Sequence, residues 1–269
     1  MVTWFDPKDR SKPVIDPRRQ IESKYPDMDI PVLPPKAVVF CLGRGLPVLK
    51  EHYPCFPIME KLPGFITHSE VLGIEGNPNI CFLHGGYAAP QIACTIETLY
   101  VLGVKEVCLV GLCGGFDERL SVGDIVLPEK VWSEEGTSLH YLEAPGFAEV
   151  RPAGSLAEFS SFFQGKGYQV WREATVTTDA VYRQTFQKEQ FWREKGCVAV
   201  DMEASALVNL CNLRGIKNTV ILMVSDRHPI REEDSGWSWG GADFAELTRK
   251  FILDSIDLAI DSYWRKENG

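Results

Sequence analysis

The 269-residue chain has no long apolar run. Its longest, counting glycine, is Val107–Phe116, half of the roughly 20 residues a membrane-spanning helix needs. Cations are not in excess either. Lys and Arg number 28 against 37 Asp and Glu, and the formal net charge of −9 argues against non-specific nucleic-acid binding. The start, MVTWFDPKDR, carries no apolar core behind a basic segment, so no secretory signal is read there. No two of the eight cysteines have C-x-x-C spacing, and no tight Cys/His cluster exists, so neither zinc nor another metal is expected. Cys41, Cys81 and Cys108 sit inside apolar runs, where a reduced cysteine behaves as a small hydrophobe; the expectation is free thiols in a reducing cytoplasm. What the chain does have is a core. Hydrophobic residues make up 45% and charged residues 24%, which excludes disorder as the main state.

Prolines are clustered: seven of the seventeen fall in the first 35 residues. Proline fixes φ and removes a donor, so residues 1–36 are expected to be mostly extended or looped. They read as an N-terminal arm lying on the domain or on a neighbouring subunit, or as a loosely ordered tail. From Ala37 to residue 269 one domain is expected. Ala37–Leu42, Ile80–Leu83, Val107–Val110, Asp124–Leu127, Thr175–Thr177 and Val220–Val224 read as strands. Pro90–Leu102, Tyr182–Lys195, Glu203–Arg214 and Asp243–Tyr263 read as helices. This alternation predicts an α/β fold, a three-layer α/β/α domain around a mixed sheet. Ligands of such sheets sit beyond the carboxyl ends of strands. Gly43–Pro47, His84–Pro90, Gly111–Phe116, Thr178–Arg183 and Ser225–Arg231 are therefore the segments from which a site is expected.

Three segments stand out. Gly111-Leu-Cys-Gly-Gly-Phe116 ends a strand in clustered glycines, which let a ligand approach the backbone. Val198-Ala-Val-Asp-Met-Glu-Ala-Ser-Ala-Leu207 delivers Asp201, Met202 and Glu203 at the start of a helix. Leu222-Met-Val-Ser-Asp226 ends a buried strand in an acid. In this order, from about Ala37 to Tyr263, they resemble the nucleoside phosphorylase/nucleosidase superfamily. Glu135-Gly-Thr-Ser-Leu-His-Tyr141 adds to the likeness and looks most like its uridine-phosphorylase-type branches.

The resemblance implies a nucleoside phosphorylase-like domain with a partly barrel-like sheet, and cleavage of the N-glycosidic bond of a nucleoside or nucleotide. It implies Asp226 as general acid facing N7 of a purine, and Glu203 as acceptor of the ribose hydroxyls with Met202 packed on the sugar. Asp201 touches the ribose or caps the helix. Base stacking falls to the Val181–Tyr182 region, the usual phenylalanine position being Val181. Cys113 and Gly114 would line the substrate, and Gly43 with Arg44 would meet phosphate, the one co-substrate in view; no cofactor is expected. The expected assembly is a homo-oligomer, whether dimer, trimer or hexamer.

The chain departs from the phosphorylase pattern at two positions. Where such enzymes present an arginine and a serine or threonine to phosphate, it has Leu109 and Leu112. Each lost charge-assisted bond removes about 1.5–3 kcal/mol. Hydrolysis of a purine nucleoside is therefore the favoured reading, with phosphorolysis as the alternative. A non-catalytic nucleoside-binding or storage protein is a third. The small nucleosidases carry a glutamate in the first loop to activate water, which this loop lacks; His84 and Glu70 are conceivable bases, and the hydrolytic base is unassigned. Arg227 and Arg231 are candidate anion contacts or solvated loop charges. Trp237 and Trp239 read as a lid or a subunit contact.

Overall fold

A computed structural model describes residues 11–27, 30–142, 146–234 and 236–261. The first ten residues of the arm, and positions 262 and 263 of the expected closing helix, lie outside these. In chain order the elements are α1 (Pro17–Lys24), β1 (Lys36–Phe40), α2 (Gly45–His52), β2 (Cys55–Met59), β3 (Val71–Ile74), β4 (Asn77–His84) and α3 (Ala88–Val101). They continue with β5 (Glu106–Gly115), β6 (Ile125–Val126), β7 (Lys130–Glu134), β8 (Phe147–Glu149), α4 (Leu156–Gly165), β9 (Val170–Trp171) and β10 (Ala174–Thr178). The last are α5 (Phe186–Glu194), β11 (Cys197–Asp201), α6 (Ala204–Arg214), β12 (Lys217–Arg227), β13 (Ser238–Trp239) and α7 (Phe244–Asp261).

β1 is buried along its whole length, as a strand covered by helices on both faces must be. Its alternate side chains divide between two cores. Ala37 and Val39 join Ile92, Ile96, Leu207 and Leu210 of α3 and α6, while Val38 and Phe40 join Val48, Phe163, Phe251 and Ile256 of α2, α4 and α7. Those two cores are the outer interfaces of a three-layer α/β/α domain. A third, smaller core holds α5 through Trp192, which packs on Phe116 at 5.6 Å between ring centres. Gly45 opens α2 because a Cβ there would lie 2.2 Å from the Phe40 ring.

The sheet is mixed. One path runs β2-β3-β4-β1-β5-β11-β10-β7-β8, and β12, with β6, β9 and β13, attaches to β5 as a branch. As expected it is a mixed sheet between helices, and it is not closed into a barrel. It branches at β5, which has three partners. β1 flanks its first part and β12 its whole length, both in parallel, and β11 meets only its end, antiparallel, through Ala199↔Gly115 and Val200↔Gly114. Among the described residues no helix is long and apolar enough to cross a membrane.

The arm carries a helix that its proline content did not suggest. Pro17 stands at its first turn, where the missing N–H costs nothing, and the Asp16 side chain accepts from the Arg19 N–H. Ile21 is fully buried and α1 lies against α3; further on, the Leu33 N–H donates to Leu102 O at 2.8 Å. Truncating Ile21 to Ala should remove about 2–5 kcal/mol of docking free energy. The expected result is faster tryptic cleavage at Arg18, Arg19 and Lys24 with little change in the Tm of the rest of the domain; unchanged cleavage would show that Ile21 does not hold the arm.

Candidate active site

The ends of β1, β4, β5, β10, β11 and β12 converge on a cavity of about 650 Å³. Of the expected site residues, Asp226, Glu203, Met202, Asp201, Tyr182, Val181, Cys113, Gly114 and Gly43 all line it. Arg44 does not. It is exposed at the start of α2, because the Gly43–Pro47 loop turns directly into that helix. Leu112 is in the lining and Leu109 is buried in the core behind it. Neither Arg227 nor Arg231 lines the cavity, nor do His84 and Glu70; Arg227 donates to Glu118 O and Glu70 pairs with Lys50. None of the described lining residues is Lys or Arg, whereas four are carboxylic acids: Glu189, Asp201, Glu203 and Asp226.

Each acid is held differently. Asp201 Oδ1 accepts from the N–H groups of Glu203 and Ala204 at 2.8 and 2.7 Å and from Thr177 Oγ1 at 2.9 Å, so it caps α6. Its Oδ2 is buried without a hydrogen-bond partner. Burial pushes this carboxyl up to about 6, against those three donors. Glu203 is pushed up to about 8, by burial first and by the charge of Asp201 second. Its Oε1 accepts from the Ala88 N–H at 2.7 Å. That donor is aimed by backbone strain: Ala88, at φ +63°, is the one non-glycine with a positive φ among the described residues. Nothing in the sequence marks Ala88 itself; its segment, His84–Pro90, stands out only because it follows a strand.

Asp226 behaves in the opposite way. Burial works to raise its carboxyl, but hydrogen bonds from His228, Ser225 and Trp237 outweigh it and hold the group below the usual carboxylate range. His228 Nε2 lies 3.1 Å from Asp226 Oδ2, and its Nδ1 lies 2.6 Å from Glu189 Oε1. Arg193 stands behind Glu189 at 3.9 Å. Burial lowers the imidazole, yet the two carboxylates prevail and raise it to about 9.

Aromatic side chains close the cavity. Trp237 and Trp239 meet edge-on with ring centres 6.3 Å apart, and β13 pairs with the end of β12 through Asp226↔Trp239. The Trp237 indole N–H donates to Asp226 Oδ2. Of the lid and subunit-contact readings, this placement is the one over the cavity. Tyr182, 97% exposed, stands at the rim beside Val181. The Glu135–Tyr141 segment serves as scaffold: Glu135 accepts from Ser205 Oγ of α6 and from the Ser138 N–H.

With this geometry in place, the comparisons are specific. The phosphorylase superfamily profile matches residues 36–255, and the chain belongs to that superfamily, a family of enzymes. A DeoD-type purine nucleoside phosphorylase of Clostridium beijerinckii is 24% identical over 214 residues, covering 77% of this chain and 86% of the relative. A guanosine phosphorylase of Halorubrum lacusprofundi is 27% identical over 139 residues, 52% of this chain and 57% of that protein. Among solved structures, an AMP nucleosidase from Bacteroides thetaiotaomicron superposes with a TM-score of 0.67 at 21% identity, over 90% of this chain and 97% of its own. A purine nucleoside phosphorylase from Toxoplasma gondii follows at 0.65, with 21% identity over 83% and 88%.

Gly114 is central to this geometry. A Cβ there would lie 2.5 Å from His228 Nε2 and 3.4 Å from Asp226 Oδ2. Gly114→Ala should therefore keep the fold, whose backbone at this position is open to alanine, but push the imidazole off Asp226. The expected outcome is a folded protein whose His228 ring resonances titrate at lower pH than in the wild type, measured by NMR. An unchanged titration would show that the pair tolerates the methyl group.

Proposed function

We propose that this protein hydrolyses the N-glycosidic bond of a purine nucleoside. The observation that carries the reading is the cavity lining, with four carboxylic acids, one histidine and no Lys or Arg among the described residues. Phosphate is costly to desolvate, and Leu112 in the wall repays none of that cost. A neutral nucleoside and a water suit this lining better than a phosphate or a nucleotide.

In this reading the ribose lies against Met202 with its hydroxyls donating to Glu203. Asp201 lines the same wall. The base lies under Trp237 and Trp239 with N7 toward Asp226. As the C1′–N9 bond breaks, its electron pair goes to the base, which takes a proton from the Asp226 carboxyl. Water adds to the oxocarbenium-like ribose. Phosphorolysis is the second reading. The relatives' names favour it, and the phosphate would have to be held near exposed Arg44 and Gly43.

Assaying a panel of purine nucleosides across a phosphate titration tests the choice. Hydrolysis gives free ribose at a rate independent of phosphate. A rate near zero without phosphate that saturates on its addition, with ribose 1-phosphate as the sole sugar product, would overturn it.

Glu203 offers a separate check. Held at about 8, it is protonated at pH 7 in the empty cavity. Ribose hydroxyls favour its ionised form, so nucleoside binding at pH 7 should release a proton, read by calorimetry in buffers of different ionisation enthalpy. Glu203→Ala should abolish the release. It should also lower kcat/KM by at least about 10²-fold, since two charge-assisted bonds contribute about 1.5–3 kcal/mol each. Full activity in a folded Glu203→Ala protein would sink the assignment.

A further inference from the structure

We propose that His228, clamped as an imidazolium between Glu189 and Asp226, is the proton store of this site and reloads Asp226 as it protonates the leaving base. The inference rests on the nucleoside-cleaving reading and supplies what that reading lacks. Asp226 accepts three hydrogen bonds in the empty site, so it begins the reaction ionised and has no proton of its own to give.

The number of donors required makes the case. Both ring nitrogens of His228 face carboxylate oxygens, Nδ1 at 2.6 Å from Glu189 and Nε2 at 3.1 Å from Asp226. A neutral imidazole has one N–H and can satisfy only one of them; the imidazolium has two and satisfies both. Its surroundings are built to keep that charge. Glu189 of α5 is 6% exposed, and its other oxygen faces Arg193. Just past the end of β12, the His228 N–H is anchored to Gly115 O at 2.8 Å, and the neighbouring Arg227 points away to Glu118 O. From β5, Gly114 gives the ring its space. Asp201 and Glu203 line the same cavity. The ring thus lies between two acids, with Arg193 behind Glu189.

The step balances. The Nε2 proton of His228 passes to Asp226 Oδ2 and a carboxyl proton passes to N7, while the C1′–N9 electron pair goes to the base. The water that adds to C1′ loses a proton, and that proton restores the imidazolium. Glu189 acts through His228 and is a positioning residue. With His228 raised to about 9, the imidazolium is present below that pH and lost above it.

The test combines pH profiles of kcat/KM with NMR titration of the His228 ring in wild type, Glu189→Gln and His228→Gln. Substrates are the purine nucleoside panel and p-nitrophenyl β-D-riboside, whose leaving group departs without a proton. The wild type should lose activity as pH rises through about 9, and the His228 ring should titrate there too. Glu189→Gln, which keeps the shape and removes the charge, should bring both down by about 1–3 pH units. His228→Gln should cost on the order of 10²-fold on nucleosides and under about tenfold on the riboside. A wild-type His228 ring that is neutral at pH 7, a basic limb unmoved in Glu189→Gln, or equal losses on both substrates would overturn the relay while leaving nucleoside cleavage standing. No turnover of any nucleoside by the wild type would instead overturn the reading of the site, and the relay's catalytic use with it.

Discussion

Four carboxylic acids sharing one buried cavity is the constraint around which this structure is arranged. Like charges so placed cannot all ionise without large cost, and the protein separates them by environment rather than by distance alone. Asp226 is kept charged by an imidazole and two neutral donors. Asp201 divides its oxygens, one holding the start of α6 and the other buried without a partner. Glu203 is kept protonated by burial and by its acidic neighbour. The result is an empty site that holds protons on Glu203 and His228 and none on Asp226. Glycosidic cleavage, which must move a proton onto the base and leave negative charge near the ribose, starts from a suitable distribution.

The fold makes this crowding attainable. Because β11 runs antiparallel to the end of β5 while β12 runs parallel to it, Val200 and Asp226 both register on Gly114. Acids delivered by β11 and by β12 therefore arrive from opposite directions at one unsubstituted backbone position. In a sheet with all strands parallel they would have been side by side along one edge. The bulge between Val224 and Asp226 then turns the end of β12 toward the cavity.

The central strands were legible because burial on both faces leaves continuous apolar runs: Ala37–Leu42 and Val220–Val224 lie within or beside β1 and β12. Asp201, Glu203 and Asp226 were legible because they sit where such runs end. Edge elements were not. β2, with Phe56 and Pro57 exposed, shows no clean alternation, and α2 has Gly45 and Pro47 in its first turn, which read as part of a loop. The helix around Glu189 was foreseen, but its partnership with His228 spans 39 residues and two separate elements, and no periodicity encodes it. Arg44 illustrates the reverse error. The family resemblance implies a phosphate contact there, although Arg44 directly follows Gly43, whereas the need to pack α2 against Phe40 turns that stretch into a helix start and the side chain outward.

The branching of β5 also has a kinetic consequence. Residues 106–115 must wait for β12, more than a hundred positions later in the chain, before their second neighbour is in place. Parallel pairings across such separations carry loop-closure entropy early and reward it late, so they form slowly. A ribosome releasing this chain would expose the glycine-rich end of β5 well before either acid-bearing strand reached it. The half of the sheet from β2 to β5 can assemble first, and the cavity takes shape only when the final third of the chain docks onto it.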